Sequence, residues 1–249
     1  MALILVTGGT GTLGTHVTPL LRAAGHDVRV LTRTPREGAG YVTGDLVRNE
    51  GLAEAVAGAE IVLHLAGGPK ADDVAARHLV AAARDAGVAH LVHISVIGAD
   101  RVPLAWLRTK LDAERAIEDS GIPWTILRAA QFHDLLFKVV AKMAKLPVLP
   151  VPGGLRFQPV DAREVAARLV ELTLGTPQGH VPDLAGPKLY TLPELARPYL
   201  EARAKRRPRL PVRIPGKAGR AYREGANLTL KGATLGERTW EQYLTDHAA

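Results

Sequence analysis

The stretch TGGTGTLG, from Thr7 to Gly14, follows the apolar run ALILV and leads into THVTPLLRAAG. It places Gly8, Gly11 and Gly14 at three-residue spacing between a segment typical of a strand and one typical of a helix. In such a turn the first glycine permits the sharp bend, the second lets backbone approach a pyrophosphate, and the third lets the helix pack closely. The helix N-terminus adds free N–H groups for the anion. The pattern predicts a phosphate site formed by Gly8, Thr10, Gly11, Thr12, Leu13 and Gly14.

Beyond this turn, the first 130 residues alternate short runs of β-forming residues with longer Ala-rich segments of helical character. Continuous apolar strands separated by helices are typical of a parallel sheet covered on both faces. Right-handed crossovers then give a doubly wound α/β (Rossmann) fold, with strand order 3-2-1-4-5-6 and a crevice between the first and fourth strands. The predicted strands are 3–7, 27–32, 41–43, 60–66, 89–95 and 123–128, and the predicted helices begin near Leu13, Asn49, Ala71 and Leu104.

The end of the second predicted strand distinguishes between two dinucleotides. An acidic residue there bonds the 2′-hydroxyl of NAD, whereas an arginine accepts the 2′-phosphate of NADP. Here the sequence is VRVLTRTPRE, with Arg33 at the strand end and Arg36 close behind. Asp27 lies at the wrong end of the strand, and Glu37 lies beyond the turn. The sequence therefore predicts NADP(H) as the cofactor, held by Arg33 and Arg36.

The second half of the chain has a different organisation, because helices are interrupted there by Pro- and Gly-rich segments. We expect residues 1–130 to form the NADP-binding Rossmann core. Residues 131–249 are predicted to form a smaller, mixed substrate-binding part, with segments that return to pack on the core. The helices predicted in this part are 132–145, 163–175, 192–203 and 238–248.

Composition limits the class of protein. The 249 residues, 47% hydrophobic and 23% charged, fit one large globular domain or a domain with a modest appendage. No apolar run reaches the roughly 18 residues needed to cross a bilayer, and the N-terminus lacks the features of a signal peptide. Because the chain has no cysteine, disulfides and thiolate chemistry are excluded. We expect a soluble, cytoplasmic protein without a membrane partner.

The formal net charge of +7 raises the question of nucleic-acid binding. Much of the excess lies between Arg197 and Gly225, in a segment broken by Pro and Gly. We interpret this basic segment as a solvated face, with an anionic substrate or partner as the alternative. Zinc-finger, homeodomain and RNA-recognition signatures are missing from the sequence, so we expect no nucleic-acid partner.

Several segments together resemble the atypical short-chain dehydrogenase/reductase family, in its NmrA-like branch. The resemblance covers most of the chain and implies an NAD(P)H-dependent oxidoreductase. In that family the acid of a GDL segment bonds the adenine, and small residues after the fourth strand pass along the ribose and pyrophosphate. The resemblance therefore implies cofactor contacts at Asp45, Leu46, Ala66, Gly67 and Gly68. The segments that carry it are TGGTGTLG, LTRTP, GDL (44–46), LHLAGG (63–68), residues 109–132, QPVDAREVA (158–166) and residues 210–228.

The resemblance also points to the helix after the fifth strand, where short-chain dehydrogenases usually carry Tyr-x-x-x-Lys. The spacing places both side chains on one helix face, where the Lys bonds the nicotinamide ribose and the Tyr transfers a proton. Here the segment is WLRTK: Lys110 is present, but Trp106 occupies the Tyr position, and an indole cannot act as an acid near neutral pH. The fifth strand ends HISVIG, in which Ser95, Val96 or Ile97 corresponds to the catalytic Ser. The candidate catalytic residues are thus Lys110, Ser95 and Trp106.

Gln131, Phe132 and His133 follow a segment that runs under the nicotinamide in this family. We expect them, together with Trp106, to line the substrate pocket. His133 is also a candidate proton donor, although a histidine at the start of a helix is more often a surface or capping residue.

Two other groups of polar residues carry no predicted chemistry. His90 and His93 are three apart on a strand and face opposite sides, with no cysteine or carboxylate cluster beside them, so we expect no metal site. The acidic residues of the helix that holds Lys110 are interpreted as solvated charge: Asp112, Glu114, Glu118 and Asp119.

Two functions from different classes fit these features. The first is an NADPH-dependent reductase of a small apolar or conjugated acceptor, such as a quinone, an enone or a carbonyl-like compound, because such acceptors need less help from a protein acid. The second is a non-catalytic NADP(H)-sensing regulatory protein that binds a protein partner. We prefer the reductase, acting on a small-molecule substrate as a monomer or homodimer.

Overall fold

The computed structural model of the chain describes residues 1–68 and 70–247. The residues group into two units. The predicted boundary at residue 130 lies next to a division at 128–129, but residues 96–104 leave the predicted core and residues 163–181 belong with it. Ala248, the last residue of the predicted helix 238–248, lies outside the described residues. The first unit is Met1–Ser95, Ala105–Arg128 and Arg163–Val181, and the second is Val96–Leu104, Ala129–Ala162 and Pro182–Ala249.

The first unit contains the strands and helices predicted for the core. With elements numbered in chain order through both units, its strands are β1 (Leu3–Thr7), β2 (Asp27–Thr32), β3 (Tyr41–Thr43), β4 (Ile61–His64), β5 (His90–Val96), β6 (Trp124–Ala129) and β9 (Gly179–His180). Its helices are α1 (Gly14–Ala23), α2 (Leu52–Val56), α3 (Asp72–Asp85), α4 (Ala105–Glu118) and α6 (Ala162–Leu174).

The strand order β3-β2-β1-β4-β5-β6 confirms the predicted 3-2-1-4-5-6 sheet, and β9 adds beside β6. β1 pairs in parallel with both β2 and β4, so Thr7 lies opposite Leu31 on one side and His64 on the other. The order of the strands reverses at β1 and β4. In such sheets the carboxyl ends of the strands at the reversal form a crevice that binds ligands.

Apolar packing accounts for this arrangement of strands and helices. Leu5 of β1, Val62 of β4 and Leu91 of β5 are fully buried and pack in one cluster with Leu79 of α3 and Ile117 of α4. Each buried aliphatic side chain of this size contributes about 1.5–3 kcal/mol through removal of apolar surface from water.

β4 ends two residues earlier than predicted, at His64. The Leu65 N–H still donates to Thr7 O, but the Ala66 N–H donates to the side-chain hydroxyl of Thr7 at 3.2 Å. This side-chain acceptor draws the chain out of the ladder. Residues 65–68 therefore form a loop at the edge of the crevice instead of two more strand positions.

The second unit has a core of its own, centred on Trp240, which is fully buried and whose indole N–H donates to Leu195 O at 2.9 Å. Its strands are β7 (Leu149–Pro152), β8 (Arg156–Phe157), β10 (Leu184–Ala185), β11 (Tyr190–Thr191), β12 (Arg209–Val212) and β13 (Thr234–Leu235). Its helices are α5 (His133–Met143), α7 (Leu192–Glu201), α8 (Gly216–Glu224) and α9 (Trp240–Asp246). The pairings are β10 with β13, β11 with β8, and β12 with β7.

The basic segment between Arg197 and Gly225 comprises the second half of α7, the strand β12 and the helix α8. Arg203 is an exception to simple solvation, because its guanidinium carbon lies 4.0 Å from the centre of the Tyr199 ring. In the part of the chain that the structure describes, no helix is both long and apolar enough to cross a membrane. The exposed cations of the segment include Lys205, Arg206, Arg209, Arg213 and Lys217.

Candidate active site

The first glycine of the turn is required by a close approach between two loops. Gly8 follows β1 with φ +70°, and a Cβ placed on it would lie 2.6 Å from the backbone nitrogen of Ala66. An L-residue is disfavoured by this φ and would also collide with the loop after β4. Gly8 therefore brings the turn and the loop together at the end of the sheet.

The third glycine packs against the turn itself. A Cβ on Gly14 would lie 2.3 Å from Cα of Gly9, so the first turn of α1 rests on the backbone of the preceding loop. Gly9, and not Gly14, packs closely against a neighbouring strand: a Cβ on Gly9 would lie 2.7 Å from Cγ1 of Val30 on β2. The predicted close packing is present, but two glycines share it.

The second glycine faces open space. Apart from its chain neighbours, a Cβ on Gly11 would come within 4 Å of one described atom, Gly8 O at 3.3 Å. Gly11 has no left-handed φ, and it lines the crevice. A side chain there would project into the space that a phosphate needs.

The crevice runs over the carboxyl ends of β1, β2 and β4 and is formed within the first unit. Glycines and arginines are among the residues that line it. Such a lining fits a dinucleotide, because glycines let the backbone approach the phosphates and arginines offset their charge. The predicted cofactor residues that line it are Gly8, Thr10, Gly11, Arg33, Asp45, Leu46, Ala66, Gly67 and Gly68. The others, Thr12, Leu13, Gly14, Arg36 and Lys110, are not among its lining residues.

The two arginines predicted to hold a 2′-phosphate have different positions. Arg33 is exposed and lines the crevice directly after Thr32 of β2. The Arg36 guanidinium carbon lies 5.9 Å from the centre of the Tyr41 ring, a distance typical of a cation–π contact. Two further cations, Arg48 and Lys70, line the crevice beside Arg33 and carried no motif in the sequence.

Asp45 shapes the loop opposite Arg33. Its Oδ1 accepts the N–H groups of Val47 at 2.8 Å and Arg48 at 3.1 Å. The bond from Arg48, helped by the charges of Arg48 and Arg33, lowers the pKa of the Asp45 carboxyl. A carboxylate held in this way stays ionised and can accept a hydrogen bond from an adenine amino group.

Lys110 lies against the loop after β4 and is paired with Asp72, a residue that belongs to no sequence motif. Its Nζ is 2.9 Å from Oδ2 of Asp72, the first residue of α3. Asp72 Oδ1 accepts the Gly68 N–H at 2.7 Å. A Cβ on Gly67 would lie 2.4 Å from Lys110 Nζ, so the absence of a side chain there makes room for the ammonium group.

The other two candidate catalytic residues differ in accessibility. Trp106 lies in the first turn of α4, half-buried, four residues before Lys110. Ser95, near the end of β5, is 2% exposed, and its hydroxyl has no hydrogen-bond partner among the described residues. Of these two residues, Trp106 is the more accessible to solvent, and its indole has no acidic proton to donate.

A buried pair of histidines adjoins the crevice floor. His64 and His93 are opposite one another on β4 and β5, with ring centres 4.9 Å apart. Thr7 Oγ1 lies 2.7 Å from His64 Nδ1. Burial, assisted by the charge of Lys110, lowers the pKa of His64 to about 3, and burial lowers the pKa of His93 well below its usual value. Both rings are therefore neutral near pH 7.

The predicted substrate residues Gln131, Phe132 and His133 belong to the second unit. Phe132 precedes α5 and is half-buried. The His133 side chain is fully buried, with ring centres 5.1 Å from Tyr243 and 5.9 Å from Trp240. His133 is thus neither a surface residue nor open to solvent, and its role as a proton donor finds no support in this packing.

The interpretation of the α4 acids as solvated charge is wrong for Glu114. This side chain is fully buried, and Arg128 of β6 donates to both of its oxygens, at 2.9 and 2.6 Å. Glu118 is exposed and bonds His180 at 2.7 Å. Glu114, Glu118 and His180 bring ligand-type atoms within 4.8 Å of one another, but these bonds already engage all three side chains.

Comparison with known proteins gives the family. A family model described as NAD(P)H-binding matches residues 8–143, which is more than half of the chain. The protein belongs to this NAD(P)H-binding family.

Relatives with assigned names agree with the match. The (4-alkanoyl-5-oxo-2,5-dihydrofuran-3-yl)methyl phosphate reductase of Streptomyces griseus is 31% identical over 202 residues, which cover 77% of this chain and 71% of the relative. The NAD(P)H azoreductase of Xenophilus azovorans is 30% identical over 206 residues, covering 78% and 71%. The crystal structure of an Escherichia coli NADPH-dependent quinone oxidoreductase, in complex with NADPH, has the same fold, with TM-score 0.82, 19% identity and coverage of 98% and 99%.

These matches confirm the resemblance to atypical short-chain dehydrogenases/reductases, the Rossmann fold and the NAD(P)H cofactor. They also confirm the predicted enzyme class, an NAD(P)H-dependent oxidoreductase. The roles of individual residues at the crevice stay predictions.

Proposed function

We propose that the protein is an NADPH-dependent reductase of a small apolar or conjugated acceptor. The observation that carries this proposal is Trp106, half-exposed four residues before Lys110 on α4, where a short-chain dehydrogenase usually has its proton-donating Tyr. An enzyme without that donor is suited to acceptors that can take up a hydride before a proton arrives.

The crevice residues provide for the cofactor. Backbone N–H groups at the start of α1 would hold the pyrophosphate, because the first turn of a helix leaves such groups unpaired, whereas the Gly11 N–H already donates to Gly8 O at 2.9 Å. Arg33 binds the 2′-phosphate and sets the preference for NADP(H), while Asp45 accepts from the adenine. Lys110 donates to the hydroxyls of the nicotinamide ribose. The bound cofactor supplies a hydride.

The chemistry of the proton follows from what surrounds Lys110. The indole N–H of Trp106 can donate a hydrogen bond but does not ionise near neutral pH. The two buried histidines are neutral, and Ser95 is enclosed. In a quinone, enone or azo compound the negative charge that follows hydride transfer is delocalised, so water can deliver the proton in a later step. Trp106, large and flat, forms a pocket wall against which a planar acceptor can stack.

The names of two relatives support the acceptor class. One is named as a reductase of an alkanoyl-substituted, unsaturated oxo-dihydrofuranyl methyl phosphate, and the other as an azoreductase. Both compounds are conjugated. The relatives differ in the group that is reduced, so the proposal for this chain extends to conjugated acceptors as a class.

A panel of acceptors tests the proposal. Purified protein is mixed with NADPH, and the loss of absorbance at the reduced nicotinamide band is followed with quinones, enones, azo dyes, simple ketones and, in reverse with NADP⁺, secondary alcohols. We expect conjugated acceptors to turn over at least about 100-fold faster than simple ketones, since acid–base catalysis contributes about 10²–10⁴-fold where it is needed. The Gly11→Val variant is the control for contaminating reductases.

Equal rates for quinones and secondary alcohols would overturn the acceptor class. Tight NADPH binding without turnover of any compound in the panel would favour the sensor function, which then predicts a partner protein that is retained on the immobilised chain only when NADP(H) is present.

A further inference from the structure

We propose that Asp72 is a positioning residue for Lys110: it fixes the ammonium group at the edge of the crevice and ties it to the loop after β4. This inference deepens the proposed function, because it rests on the role of Lys110 at the nicotinamide ribose. Asp72 belongs to no sequence motif. It is the first residue of α3, a helix whose other buried residues are apolar.

The geometry of the carboxylate gives each oxygen a separate task. Oδ1 accepts the Gly68 N–H at 2.7 Å, and Oδ2 lies 2.9 Å from Lys110 Nζ. The side chain of Asp72 is only 7% exposed and that of Lys110 only 12%. One buried carboxylate therefore connects α4, through Lys110, with the backbone of the crevice loop, through Gly68.

Asp72 is itself held in place. It is the first residue of α3, where the helix dipole favours a negative charge. The preceding Ala71 has φ 63°, a conformation that non-glycine residues seldom adopt, and it turns the chain so that Asp72 points back to the loop. The backbone thus fixes where the Asp72 side chain begins, and the bond from the Gly68 N–H holds its carboxylate. A lysine side chain, in contrast, has four rotatable bonds and adopts many conformations when it is unpaired.

The position of Lys110 is closely constrained on the loop side. A Cβ on Gly67 would come within 2.4 Å of Nζ, so the ammonium group rests directly on the backbone of a crevice residue. Among the described residues, Asp72 is the acidic side chain paired with Lys110, at 2.9 Å, and the nearby histidines, being neutral, add no competing positive charge. An ammonium group has three donors, so pairing with one carboxylate leaves donors for ribose hydroxyls.

A double-mutant cycle on cofactor binding tests whether Asp72 acts through Lys110. Asp72→Asn keeps an oxygen for the Gly68 N–H and removes the charge, and Lys110→Met removes the ammonium group with little change in length. Affinities for NADPH and for 2′,5′-ADP, which lacks the nicotinamide half, are measured by calorimetry. Asp73→Asn is the matched control, because Asp73 is the next residue and pairs with Arg77 on the surface at 2.8 Å.

We expect Asp72→Asn and Lys110→Met each to weaken NADPH binding by about tenfold, the effect of losing one charged hydrogen bond. The double variant should bind NADPH no more weakly than Lys110→Met alone, because the two residues act as one unit. All three should bind 2′,5′-ADP within about twofold of the wild type, and Asp73→Asn should leave both ligands unaffected.

Losses that multiply in the double variant would overturn the proposal, as would an equal loss for NADPH and 2′,5′-ADP, which marks a general disturbance of the loop. An unchanged NADPH affinity in Asp72→Asn would overturn it as well. Thermal melting of each variant identifies loss of fold. Because binding is measured without an acceptor, this result is independent of whether the acceptor panel reveals a reductase.

Discussion

Thr7 of β1 and His64 of β4 face one another across the sheet, with Thr7 Oγ1 2.7 Å from His64 Nδ1. His93 stacks on the other side of His64, and both imidazoles are almost completely buried. Burial lowers the pKa of His64 to about 3, whereas an unfolded histidine titrates near 6.5.

Between about pH 6.5 and pH 3, His64 is therefore protonated in the unfolded chain and neutral in the folded chain. The free energy of unfolding therefore carries no penalty from His64 above pH 6.5, and it decreases as the pH falls through this window. From pH 7 to pH 5 the loss for His64 is about 2 kcal/mol, at about 1.4 kcal/mol per pH unit. Urea unfolding at a series of pH values should show this fall. His64→Asn should flatten the slope and His16→Asn on α1 should not; equal slopes in the two variants would contradict the assignment.

Gly11 and Gly14 provide a matched test of the glycine turn. Gly11→Val adds a side chain that meets open crevice, so we expect an intact fold and no measurable NADPH binding. Gly14→Val would bring Cβ within 2.3 Å of Gly9 Cα, so we expect that variant to lose stability or fail to fold. Circular dichroism with cofactor titration separates the two effects. A folded Gly11→Val protein with wild-type NADPH affinity would count against the phosphate site.

Much of the first unit follows from the sequence. The strands alternate with helices, so their order and the location of the crevice are fixed by general rules of handedness and connection. β4 is shorter than predicted because the hydroxyl of Thr7 takes the Ala66 N–H, and no local pattern in residues 60–66 reveals this long-range bond.

The polar interior was harder to predict, for identifiable reasons. Asp72 and Lys110 meet only because α3 and α4 are adjacent, and their sequence separation follows no motif spacing. The stacking of His64 on His93 depends on the register between β4 and β5. Glu114, in contrast, left a signal: it lies seven residues after Leu107 and three before Ile117, both fully buried, which places it on the inward face of α4.

Preference for NADP(H) over NAD(H) is predicted to depend mainly on Arg33. A charge-assisted hydrogen bond contributes roughly 1.5–3 kcal/mol, so Arg33→Ala should weaken NADPH binding by about ten- to a hundredfold and leave NADH almost unchanged. Arg36→Ala should cost less, because its guanidinium group lies over Tyr41 and outside the crevice lining. Cofactor fluorescence titrations measure both. Equal losses for NADPH and NADH in Arg33→Ala would refute the assignment.

Trp106 gives the prediction that departs furthest from the usual activity of short-chain dehydrogenases. With an indole in place of the phenol, the wild-type protein should oxidise simple secondary alcohols poorly at every pH, because about 10²–10⁴-fold of acid–base catalysis is missing. Two substitutions of similar ring size separate the hydroxyl from the change in volume. Trp106→Tyr introduces an acid on the same helix face as Lys110, whereas Trp106→Phe introduces a flat ring without one.

We expect Trp106→Tyr to oxidise a secondary alcohol with NADP⁺ at least about tenfold faster than Trp106→Phe, a small part of the full acid–base contribution. The rate of Trp106→Tyr should rise with pH as the phenol ionises, and NADPH affinity should be the same in both variants. Quinone reduction should be similar in all three proteins, since it needs no protein acid. Wild-type turnover of an ordinary alcohol, governed by one ionisation that His133→Ala removes, would instead identify the buried His133 as the acid and show that Trp106 is only a packing residue.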